Sequence, residues 1–125
     1  MKNSPAVLVV CPPTRCSDAL KAELAEAQVR VIEARGCAEA RAILREEGPF
    51  EAVITDTRLP DGNWYSILND LVTSDRQANL IVCSNRDDES FRRRVVDYGA
   101  MDLLPISAQP ERVRSVVSRA FGRTA

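Results

Sequence analysis

Residues 53–62 read Val53-Ile54-Thr55-Asp56-Thr57-Arg58-Leu59-Pro60-Asp61-Gly62. The run from Glu51 to Thr55 is almost wholly apolar and rich in β-branched residues, the composition of a strand covered on both faces. It ends on an acid, Asp56, and Pro60-Asp61-Gly62 then breaks it. Four further runs of the same kind are Ala6 to Val10, Val29 to Glu33, Asn79 to Cys83 and Asp102 to Pro105. The stretches between them carry helical spacing, as in Leu20, Leu24 and Ala27, then Ala40, Ile43 and Leu44, then Ile67, Leu68 and Leu71. Five strands alternating with helices predict a doubly wound α/β fold, a parallel sheet with helices on both faces. The first and third runs belong at its centre, and the second, which alternates, at an edge. Ser17-Asp18, Asn63 and Asp87-Asp88 mark helix starts, and Gly48-Pro49 and Gly99 mark helix ends.

The 125 residues suffice for one buried core, so a single domain over 1–125 is expected. Seventeen Lys plus Arg against eighteen Asp plus Glu give a net charge of −1, which offers no basic field for nucleic acid. No apolar run approaches the ~20 residues of a membrane span, and Met-Lys-Asn-Ser-Pro does not open a signal peptide; a soluble, cytoplasmic protein is expected. The chain has no histidine, which removes Ser-His and Cys-His catalysis, and its four cysteines form no Cys-x-x-Cys pair. These features point away from an enzyme. In open parallel sheets the working groups lie beyond the carboxyl ends of the strands. That rule selects Cys11, Pro12 and Pro13, then Asp56, then Ser84 and Asn85, then Ile106 and Ser107.

Residues 53–62 closely resemble the phosphoacceptor strand and loop of bacterial response regulator receiver domains. The likeness continues through Val7-Leu8-Val9-Val10, Ile81-Val82-Cys83-Ser84 and Gly99-Ala100-Met101-Asp102-Leu103-Leu104. It implies a flavodoxin-like (βα)5 fold with strand order 2-1-3-4-5 and a role in two-component phosphorelay signalling. By the same resemblance Asp56 is the phosphoacceptor and Ser84 the hydroxyl that meets the phosphoryl group. Other working parts of the family are missing. Cys11 and Pro12 stand where two acidic residues hold Mg²⁺, Ile106 stands where a lysine is usual, Ser107 where a proline is, and Leu103 replaces the switch aromatic. Asp56 and the Arg58 carbonyl leave too few oxygens for an octahedral ion, so Mg²⁺ binding is expected to be weak or absent, and no other cofactor is implied.

Three readings stay open. One is an atypical receiver acting through protein contacts, and another is a receiver phosphorylated on Asp56 by a histidine kinase. The third, a flavodoxin-like cofactor binder, is opposed by Cys11-Pro12-Pro13, which supplies few backbone donors for a phosphate. Fifteen of the basic residues are arginines, and Arg86 and Arg58, each two residues beyond Ser84 or Asp56, are candidates to replace the lost cations. Arg92, Arg93 and Arg94 with Arg112, Arg114 and Arg119 give the later helices a basic character, with Asp97, Asp102 and Glu111 interspersed on the same face. The partners expected are a histidine kinase, a phosphotransfer protein or a downstream effector, or a second copy docked through the fourth helix, fifth strand and fifth helix. Of Trp64 and Tyr65, one should be partly exposed. Cys11 and Cys83 end strands two places apart, too far to bridge one another, and read as small buried hydrophobes.

Overall fold

The structure is a computed structural model that describes residues 6–11, 18–74, 78–85 and 88–121. Its strands are β1 (Ala6–Val10), β2 (Arg30–Ala34), β3 (Ala52–Asp56), β4 (Arg58–Leu59), β5 (Gly62–Asn63), β6 (Asn79–Ser84) and β7 (Asp102–Pro105). The helices are α1 (Asp18–Glu26), α2 (Cys37–Glu46), α3 (Trp64–Thr73), α4 (Glu89–Tyr98) and α5 (Pro110–Ala120). The main sheet runs β2-β1-β3-β6-β7, all parallel. Counted over those five strands alone, this is the expected order 2-1-3-4-5. β2 lies at the edge, with three of its five residues exposed, while every residue of β1 and β3 is buried.

Alternation along β1 splits the core into two layers. Ala6, Leu8 and Val10 face α2, α3 and α4, where Ala40, Ile67, Leu71 and Val95 meet them. Val7 and Val9 face α1 and α5, where Leu20, Leu24, Val113 and Val117 close the other side. Asn63 caps α3, its side chain accepting from the N–H groups of Tyr65 and Ser66, and Asp88 does the same for α4 through Ser90 and Phe91. Gly99 ends α4 at φ +124°, a conformation that a side chain disfavours. No helix among the described residues is long and apolar enough to cross a membrane.

A short hairpin, β4 paired antiparallel with β5, follows β3 and was not evident as strand in the sequence. Pro60-Asp61-Gly62 turns it, and the turn reaches back to α2. Asp61 accepts from the N–H of Cys37 at 2.7 Å and of Ala38 at 3.0 Å, standing in for a cap that Gly36 has no side chain to supply. These two bonds, Ala38 first and then Cys37, hold the Asp61 carboxyl below the usual carboxylate range. Gly62 lacks a side chain because a Cβ there would lie 2.7 Å from Cys37 Sγ and 2.9 Å from Ser66 Oγ. The Asp-Gly pair thus fixes the loop that leaves Asp56.

Sequence reading places Asp102 among the scattered acids of a basic face, and the structure corrects this. Asp102 is 3% exposed and accepts from Arg92 Nε of α4 at 2.8 Å, from an Arg119 Nη of α5 at 2.6 Å, and from the Leu103 N–H at 2.7 Å. Arg114 turns instead to Glu23 of α1. Three of the six arginines counted toward that face are therefore neutralised in place.

Candidate functional site

Asp56 is the last residue of β3, opposite Cys83 of β6, and is 2% exposed. Its setting follows from the residues on either side. The Thr57 N–H donates to Asp56 Oδ1 at 2.6 Å, the Thr57 hydroxyl donates to the Cys83 carbonyl at 2.7 Å, and the Thr55 hydroxyl donates to the Asp56 carbonyl at 3.0 Å. Trp64 N–H then binds the Thr57 carbonyl at 3.1 Å, tying the start of α3 to the same loop. Thr57 so orients the carboxylate and locks β3 to β6 beside it, a role with no signal in the sequence beyond its place after Asp56.

The carboxylate borders a cavity of about 20 Å³ whose walls come from Val9, Cys11, Leu20, Ile54, Cys83 and Ile106, with Lys21 of α1 at its rim. That volume is about the room for one water. The structure therefore brings Asp56, Cys11 and Ile106 together, as the strand-end rule predicts. It also adds Lys21, an exposed residue four positions before Ala25 on α1, which sequence reasoning did not single out. Ser84 is buried at the end of β6, opposite Pro105, and its carbonyl accepts from the Ile106 N–H at 2.7 Å. Leu103 is buried in the α2–α3–α4 layer. Arg58 is exposed on β4 and makes no ion pair with a described residue. Pro12 and Arg86 lie outside the described residues.

Cys11 departs from its expected role, because it is half-buried and disulfide-bonded rather than a free, buried thiol. Cys83 is free and half-buried, and packs against the α1–α5 layer. Burial, and then the negative charge of Asp56, push its thiol up to about 12. Since the thiolate is the reactive form, Cys83 should alkylate with iodoacetamide at pH 8 about a thousandfold more slowly than an unperturbed thiol. Asp56→Asn should speed the reaction by removing the charge. Peptide mass spectrometry over a time course measures both rates, and a wild-type Cys83 as fast as a free cysteine would contradict this electrostatic account.

The Mg²⁺ that the resemblance implies does not fit the donor set of the described residues. It demands near-octahedral oxygen coordination, whereas the described lining presents one carboxylate and the Thr55 hydroxyl among alkyl groups, sulfur and the Lys21 ammonium. A disulfide-bonded Cys11 has no thiolate to offer, and Glu33 and Glu39 line a different cavity that Cys11 also borders. No group of three or more acidic, histidine or cysteine side chains suited to a metal occurs among the described residues.

Comparison with known proteins gives the same fold. Residues 7–118 match the family model of the response regulator receiver domain. The transcriptional regulatory protein HptR of Staphylococcus aureus (strain N315) is 33% identical over 66 residues, 53% of this chain and 25% of that protein. The chain thus matches about a quarter of that relative's length. Among solved structures, a Francisella response regulator receiver domain superposes with a TM-score of 0.81 at 19% identity, covering 97% of this chain and 99% of the other. The receiver domain of a sensor histidine kinase from Pseudomonas aeruginosa PAO1, solved with magnesium in its active-site cleft, gives 0.80 at 17% identity over 96% and 99%. With the parallel order 2-1-3-4-5, Asp56 at the end of the third strand and a family match over nearly all of its length, the chain belongs to the response regulator receiver domain family of two-component signalling.

Proposed function

We propose that this chain is an atypical receiver, one unit over 1–125 that signals through protein contacts and in which Mg²⁺-dependent phosphorylation of Asp56 is impaired or absent. The observation that carries this reading is the wall around Asp56. Where a transferred phosphoryl group would bring charge on three equatorial oxygens, the cavity presents Val9, Ile54, Ile106 and disulfide-bonded Cys11. Phosphoryl transfer depends on positioning and on neutralising that charge, and each missing electrostatic stabiliser typically costs about 10²–10³ in rate. Ile106 contributes alkyl groups in place of a lysine ammonium, and Cys11 and Pro12 contribute no hard oxygen. Compensation falls to Lys21 of the cavity lining and to the candidate cations Arg58 and Arg86.

The second reading rests on Asp56 itself, which keeps the strand-end position with Thr57 orienting its carboxylate. A cognate histidine kinase or phosphotransfer protein that brought its own cations would then phosphorylate it, with Ser84 as the hydroxyl partner. A flavodoxin-like cofactor binder gains nothing from a cavity of about 20 Å³. Incubation with a panel of ³²P-labelled histidine kinases, in parallel with Asp56→Asn, separates the first two. The atypical reading expects no label above the Asp56→Asn background within minutes. Label that is acid-stable, base-labile and lost in Asp56→Asn would establish the second.

A further inference from the structure

Four of the six aromatic residues of the chain collect where the start of α3 meets α4. The Trp64 ring stacks on Tyr98 at 5.9 Å and meets Tyr65 and Phe91 edge-on at 5.8 and 6.4 Å, while Tyr65 and Tyr98 lie 5.6 Å apart. Trp64 is buried at 8%, but Tyr65 and Tyr98 are 52% and 56% exposed. Val72, seven residues after Tyr65 and so on the same face of α3, is 70% exposed. Three of the five large hydrophobic side chains exposed among the described residues thus form one strip.

Packing explains the buried members but not the outer faces of the exposed ones. Trp64 and Phe91 fill the α2–α3–α4 layer, whereas the tyrosines cover Trp64 and present their outer faces to solvent. Neither tyrosine hydroxyl bonds to a described residue. Rings held by their neighbours lose little rotamer freedom when a partner covers them, which favours aromatic anchors in interfaces.

The charge beside the strip selects the partner. Arg92 and Arg119 are committed to Asp102, Arg114 to Glu23 and Arg41 to Asp70. Arg94, one turn before Tyr98, and its neighbour Arg93 are exposed and make no ion pair with a described residue. Asp97 is the one carboxylate on that part of α4, so the flank stays net positive. Tyr65 and Val72 are spaced about 10 Å along α3 by the helical rise, the span between anchors at i and i+7 of a docked helix. A second copy is a poor occupant, because it would bring a second net-positive flank to this face, whereas an acidic partner complements the one present.

We propose that the strip formed by Tyr65, Val72 and Tyr98, with Arg94 beside it and Arg93 further round α4, is a docking site for an acidic amphipathic helix of a partner protein. The site lies apart from the Asp56 cavity, so this inference survives either outcome for phosphorylation.

The probe is a displayed library of random sixteen-residue peptides selected on the immobilised chain. Enriched sequences should carry Asp or Glu with bulky apolar residues at helical spacing, and synthetic copies should shift the emission of Trp64 saturably. Tyr65→Ser, which leaves Trp64 stacked on Tyr98, and the double variant Arg93→Glu with Arg94→Glu should each weaken binding tenfold or more, while Arg30→Glu on β2 should not. Far-ultraviolet circular dichroism confirms that each variant is folded. Failure to enrich any peptide, enrichment of basic or neutral ones, or equal binding by the Tyr65→Ser variant overturns the proposal. So does a self-association, seen by sedimentation, that Tyr65→Ser abolishes.

Discussion

Asp102→Ala should cost the fold about 2 kcal/mol in urea unfolding at neutral pH, the largest stability effect expected of a single polar side chain here. The carboxylate is 4% exposed and holds α4 and α5 to β7 through Arg92 and Arg119, while also accepting from its own strand at Leu103. Removing one member of a fully buried pair costs about 3–5 kcal/mol, because the partner is left charged without solvent. That figure is too high here, since Arg92 and Arg119 are 39% and 53% exposed and hydrate once released. Burial alone would push the Asp102 carboxyl up, but the hydrogen bonds from Arg92, Arg119 and Leu103 and the Arg92 charge outweigh it and hold it below the ordinary value. With the folded pKa below the unfolded one of about 3.9, the contribution is whole above pH 3.9 and is lost as pH falls through the folded value. Wild type and Asp102→Ala should accordingly differ at pH 7 and converge under acid. A constant difference down to pH 2 would show that the triad is not what Asp102 supplies.

The same triad shows where sequence reading stops. Strands written in apolar, β-branched residues were legible, because burial on both faces leaves no other composition for β1 and β3. Asp102 was read with the surface acids because a charge is buried only when distant groups pay its desolvation. Those groups lie ten residues before it and seventeen after, and no local pattern joins them. Asp61 was legible as part of a motif but not as a cap, since the amides it serves are 24 and 23 residues upstream. At the site, the strand-end rule located Asp56, Cys11 and Ile106, because topology alone brings strand ends together. It missed Lys21, which enters along a helix, and Thr57, whose part depends on the neighbouring strand's carbonyl. The sequence set Trp64 and Tyr65 at the start of a helix with one of them exposed, but only the packing of Tyr98 decides that Tyr65 is the exposed one.

Titration with Mg²⁺ up to 20 mM should leave the emission of Trp64 without a saturable change, and beryllofluoride should leave the backbone amide spectrum over residues 84–108 in place. Both expectations follow from the cavity wall. A divalent ion at Asp56 needs further oxygen ligands at about 2.0–2.1 Å, and the other described side chains of the cavity are alkyl groups, the Thr55 hydroxyl, the Lys21 ammonium, a protonated thiol and a disulfide. A phosphoryl mimic on Asp56 would add negative charge beside Ile106, whose side chain cannot answer it with an ammonium. Its signal has no aromatic at Leu103 to move, because that side chain is packed in the α2–α3–α4 layer. Trp64 is a suitable reporter, since its N–H binds the carbonyl of Thr57, the residue whose own N–H holds Asp56 Oδ1. A saturable Mg²⁺ transition at millimolar concentration that Asp56→Asn abolishes would overturn this account of the metal. Widespread amide shifts with beryllofluoride would show that Ser84 and the remaining cations suffice to drive the switch. A single Ile106→Lys variant supplies the positive control. Its ammonium restores one counter-charge without altering β3, so it should strengthen the response to beryllofluoride even while Mg²⁺ affinity stays low.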